Sequence, residues 1–70
     1  MNHNLPKTLK KLRLEKNLHQ KDVAKILNTT QQAYSKYERG DREPDLSNLI
    51  TLADYYRTSL DYLAGRYDKA

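Results

Sequence analysis

Four polar side chains cluster in the stretch NTTQQAYSKYERG, residues 28–40: Gln31, Gln32, Ser35 and Lys36. A glutamine amide carries both donors and an acceptor, so it can pair bidentately with adenine and also serve other bases. Lys36, one helical turn on, can donate to guanine or reach a phosphate. A single surface glutamine is ordinarily just solvated. Four such side chains on one face of one helix carry more meaning. No equipment for covalent chemistry accompanies them. No carboxylate pair, nucleophile–base set or Gly-rich phosphate loop can be assembled, so an enzyme is not expected. There is no cysteine, and His3 and His19 lie far apart, so neither a metal site nor a cofactor is expected.

The elements around these residues must place them. Gly and Pro are scarce, and no strand-like alternation occurs, so the chain reads as helical throughout. Leu5, Leu9 and Leu12 mark the stripe of a first helix, with Pro6 tolerated in its opening turn and Asn17 ending it in a left-handed conformation. Leu18 reads as a buried link residue. Val23, Ala24 and Leu27 form the apolar face of a second helix, with Asp22 in its first turn and Asn28 after its end. Thr29 or Thr30 caps a third, whose inward face is Ala33, Tyr34 and Tyr37 and whose stop is Gly40. Pro44 breaks the chain and Asp45 caps a fourth helix with Leu46, Leu49, Ile50, Ala53 and Tyr56 inward. Ser59 caps a short fifth with Leu60 and Leu63 inward, closed by Gly65. The expected architecture is all-α, a compact five-helix bundle forming a single domain over 1–70. Its core runs from about 5 to 65 and residues 66–70 form a tail.

Residues 20–37 make two short helices joined by a tight turn, the spacing of a helix-turn-helix formed by helices 2 and 3. An ordinary corner between two helices has the same periodicity. The polar face of helix 3 separates the two, because Gln31 and Gln32 lie at the end of a recognition helix that enters a major groove first.

Charge points the same way. Residues 1–42 carry ten basic and four acidic side chains, whereas residues 43–70 carry three basic and five acidic. One basic side suits a polyanion, and a solvated lysine-rich surface is the alternative that charge alone leaves open. The chain is too short to hold a second, ligand-sensing domain. No apolar run reaches membrane-spanning length, and the N-terminus is too polar for a secretory signal, so the cytoplasm is the expected location.

From Leu12 to Gly65 the sequence resembles the XRE-type, phage Cro/repressor-like helix-turn-helix domains. The matching runs are Leu12-Arg13, Lys16-Asn17-Leu18, Gln20, Val23-Ala24 and Leu27, then Thr30-Gln31-Gln32, Ser35 and Tyr37-Glu38-Arg39-Gly40. Arg42, Pro44, Leu49, Leu52-Ala53, Ser59-Leu60-Asp61, Leu63 and Gly65 follow in step. Asn28 departs from the glycine often found at that turn, and Asn tolerates the same conformation. Tyr34 stands where Ile or Val is common, and its hydroxyl is expected at the edge of the core, near a phosphate.

The resemblance implies a lambda-repressor-like fold and a sequence-specific, double-stranded DNA-binding transcriptional regulator, expected as a repressor. It implies base contacts for Gln31, Gln32 and Lys36. It implies phosphate contacts or their support for Gln20, Thr30, Ser35, Arg39 and Arg42. It implies an ion pair between Arg13 and Glu38 that ties helix 1 to the end of helix 3. A homodimer through the last helix, with Tyr62 and Tyr67 at the interface, is the expected assembly on an operator. The other reading is a small protein-interaction module, an antitoxin or adaptor, for which an apolar surface at Leu14 or the terminal tyrosines would speak.

Overall fold

A computed structural model describes residues 4–64. Five helices occupy them: α1 Leu5–Glu15, α2 Gln20–Ile26, α3 Gln31–Arg39, α4 Leu46–Tyr56 and α5 Leu60–Leu63. Three starts are secured by side-chain caps. Thr30 Oγ1 accepts from the Ala33 N–H at 3.1 Å, Asp45 Oδ1 from Asn48 at 2.9 Å and Ser59 Oγ from Tyr62 at 3.0 Å. Each satisfies a donor that the first turn of a helix leaves unpaired. At α2 the carboxylate works in reverse: Asp22 Oδ2 accepts from the His19 N–H at 2.8 Å.

Four helices end by one device. Asn17, Asn28, Gly40 and Arg57 all have φ between 57° and 80°. The next N–H returns to a carbonyl of the last turn: Leu18 to Arg13, Thr29 to Ala24, Asp41 to Lys36 and Thr58 to Ala53. This left-handed closure reverses the chain in one residue, which is how helices of seven to eleven residues can fold back on each other. At Gly40 the constraint is backbone conformation rather than space, because an added Cβ would sit 3.5 Å from Pro6 Cγ, an ordinary contact.

The core joins Leu5 and Leu9 of α1, Val23, Ala24 and Leu27 at α2, Tyr34 and Tyr37 of α3, Leu52, Ala53 and Tyr56 of α4 and Leu63 of α5. Leu12, Leu18 and Leu49 pack against it from the margin. Three inward assignments are corrected. Leu46 is 63% and Ile50 45% exposed, and Leu60 is 41% exposed. In α4 the stripe 49, 52, 53, 56 obeys the same helical spacing as the expected one, and only packing against the other helices selects between them. In α5 a single turn has room for one inward side chain, and Leu63 takes it. Gly65 and Tyr67 lie outside the described residues.

Candidate nucleic-acid interface

The N-terminal end of α2 and the outer face of α3 enclose a shallow depression of about 420 Å³, lined by Gln20, Gln31, Gln32, Ser35, Lys36 and Arg39. Five of these come from one helix at positions 31, 32, 35, 36 and 39, which the α-helical repeat brings to one side. Their opposite neighbours, Tyr34 and Tyr37, are buried and meet edge to face at 5.9 Å between ring centres. Burying two tyrosines fixes the rotation of α3, and that rotation turns the glutamines outward.

Six of the eight side chains expected to contact DNA are thus in one concavity. Thr30 and Arg42 are not among its lining residues. The Thr30 hydroxyl oxygen is held by its capping bond, and Arg42 is exposed in the loop beyond Gly40. Arg39 is already steered: its Nε meets Asp41 Oδ2 at 2.9 Å and its Nη1 donates to Ser35 Oγ at 3.1 Å. Sequence reasoning missed this local pairing, although a two-residue separation across a tight turn permits it.

Beneath the depression, Arg13 and Glu38 form the expected pair, with Nε–Oε2 at 2.7 Å and Nη2–Oε1 at 3.0 Å. Arg13 Nη1 also donates to the Leu18 carbonyl at 3.0 Å, tying down the α1–α2 link. Two further donors reach Glu38: Tyr34 Oη at 2.6 Å and Gln20 Nε2 at 3.1 Å. The Tyr34 hydroxyl therefore points inward to a carboxylate rather than toward a phosphate, because Glu38, four residues on along the same helix, is within its reach. Burial pushes the Glu38 carboxyl up, but the bonds from Arg13, Tyr34 and Gln20 outweigh it and hold its pKa below the ordinary value. The bond to Glu38 raises the Arg13 pKa, and burial raises that of Tyr34, so both donors keep their protons.

Among the described residues no helix is long and apolar enough to cross a membrane, and no cluster of ligands fit for a metal ion occurs.

A two-helix unit with buried packing residues and a polar outer face on its second helix defines the helix-turn-helix class. The Helix-turn-helix family model matches residues 9–63, and the chain belongs to that family. It is similar to an uncharacterized HTH-type transcriptional regulator, YqaE, of Bacillus subtilis (strain 168), with 47% identity over 79% of this chain and 47% of that protein. The crystal structure of a transcriptional regulator from Listeria innocua superimposes with a TM-score of 0.89 at 32% identity, covering 93% of this chain and 61% of that one. The P22 c2 repressor protein, crystallised in complex with synthetic operator 9T, superimposes with a TM-score of 0.80 at 26% identity, covering 89% of this chain and 94% of that one. The chain spans about half the length of the curated relatives it matches.

Proposed function

We propose that this chain is a sequence-specific double-stranded DNA-binding regulator of transcription, acting as a repressor in the cytoplasm by occupying an operator. α3 enters the major groove. Gln31, Gln32 and Lys36 meet base edges, and Gln20, Thr30, Ser35, Arg39 and Arg42 hold or support phosphates. The observation that carries this reading is the convergence of Gln20 with the outer face of α3 in one depression containing two cationic side chains. Family membership and the likeness to an operator-bound repressor add support. No catalytic step belongs to this reading.

Two copies would read two half-sites about one helical turn, roughly 34 Å, apart. Leu46 and Ile50 of α4 and Leu60 of α5 support pairing through the C-terminal helices, since each leaves apolar surface exposed that a second copy would cover. Tyr62 is less suited to that role than expected, because its hydroxyl already accepts from Lys11 Nζ at 3.4 Å.

One observation favours a second reading, a protein-interaction module. Leu14 is 53% exposed and shares a depression on α1 with Lys7, Lys10 and Lys11. Titration with duplex DNA at several salt concentrations separates the two readings. The regulator reading predicts binding whose logarithm falls linearly with that of salt, with a slope near −0.9 per phosphate contacted. Duplex binding too weak to measure at low salt would favour the module.

A further inference from the structure

The Glu38 side chain is only 4% exposed, yet it meets four donors from three helices. Three of them build the fold. The fourth, Gln20, belongs to the depression at the surface. A carboxylate offers acceptors alone. An amide that turned its carbonyl toward Glu38 would set oxygen against oxygen. Gln20 must therefore direct Nε2 inward, and the second hydrogen on that nitrogen remains for an acceptor on the solvent side.

An unrestrained glutamine presents its nitrogen or its oxygen with similar ease, and the oxygen repels an anion. The Glu38 carboxylate does not itself repel an approaching phosphate strongly, because Arg13 neutralises it through two short bonds. Resting on the DNA-binding reading above, we infer that Glu38 is a positioning residue for phosphate binding. It sets the polarity of the Gln20 amide so that an N–H, and not the carbonyl, meets the DNA backbone. One carboxylate thus links the packing of α1 on α3 to the readiness of the DNA-facing surface.

The test is a double-mutant cycle on duplex affinity with Gln20→Ala and Glu38→Gln, each corrected for the folded fraction. Glutamine at 38 keeps the size of the side chain but satisfies either orientation of the Gln20 amide. Gln20→Ala should weaken binding about tenfold, the scale of one charge-assisted hydrogen bond. Glu38→Gln should weaken it several-fold in the unaltered background and not at all in the Gln20→Ala background. The same loss in both backgrounds would make Glu38 a packing residue only and overturn the inference. So would Gln20→Ala binding as tightly as the unaltered chain. No duplex binding by the unaltered chain would instead remove the DNA-binding reading itself.

Should Glu38→Gln fail to fold, the unaltered chain answers by nuclear magnetic resonance. The Gln20 side-chain N–H signals should exchange with solvent more slowly than those of Gln31 and Gln32, and should shift on adding duplex. Exchange as fast as that of Gln31 and Gln32 would overturn the inference.

Discussion

Arg13 and Glu38 stand twenty-five residues apart in sequence and face each other fork to fork, with contacts of 2.7 and 3.0 Å. Their side chains are 10% and 4% exposed, so the pair is largely desolvated. Removing one partner of such a pair costs more than the pair contributes, because the other charge is stranded. Glu38→Ala should therefore destabilise the domain by roughly 3–5 kcal/mol. It also leaves Tyr34 Oη and Gln20 Nε2 without their acceptor. Thermal melting followed by circular dichroism checks this, and a melting temperature within a few degrees of the unaltered chain would contradict it.

The same carboxylate makes stability depend on acid. Its folded pKa lies below the ordinary value, so the unfolded chain binds the proton first as pH falls. The contribution is therefore fully present above the unfolded carboxyl pKa and is lost as pH falls through the folded value. Chemical denaturation at a series of pH values below 5 should show that loss. The part owed to Glu38 should disappear in Glu38→Gln; an identical acid profile in that variant would show that other carboxyls carry the dependence.

Arg57 closes α4 with φ of 57°, a conformation that costs an L side chain about 1 kcal/mol. The three other left-handed closures use Asn or Gly, which tolerate it better. Arg57→Gly should raise stability by up to about 1 kcal/mol, several degrees in melting temperature for a domain of this size. A lowered melting temperature would mean that the arginine side chain makes a contribution larger than its backbone strain.

Tyr56 is buried, and its hydroxyl has no hydrogen-bond partner among the described residues. Burial raises its pKa to about 12, so the group stays neutral. Deleting an unpaired buried hydroxyl removes a desolvation cost while keeping the ring's packing. Tyr56→Phe should be neutral or stabilising by up to about 1 kcal/mol. Urea denaturation reads this, and a loss above 1 kcal/mol would mean that the hydroxyl has a partner in solution.

Much of this molecule is legible from residue types and spacing. Asn17, Asn28 and Gly40 announce their turns, and Thr30, Asp45 and Ser59 their caps, because those signals act over one to four residues. What escapes is decided over longer range or between equal local choices. Two overlapping apolar stripes in α4 leave Leu52 and Ile50 formally equivalent until the other helices arrive, and Leu52 is then fully buried while Ile50 stays out. Arg57 carries no compositional sign of a left-handed residue. In the depression, the identities of the outward residues were readable from the turn and the buried tyrosines, but the bond from Gln20 to Glu38 joins separate helices and becomes visible only once the bundle is assembled.

Gln31 and Gln32 carry the central claim, that α3 reads bases. The most direct measurement selects bound sequences from a randomised duplex pool at near-physiological salt, with the unaltered chain and with Gln31→Ala and Gln32→Ala. The unaltered chain should enrich a palindrome whose half-sites lie about ten base pairs apart. Each glutamine variant should lose preference at particular positions, worth about 1–3 kcal/mol of discrimination each, and keep most of its binding to random duplex. Binding without any enriched motif, or equal losses on selected and random DNA, would contradict the claim that these side chains read sequence.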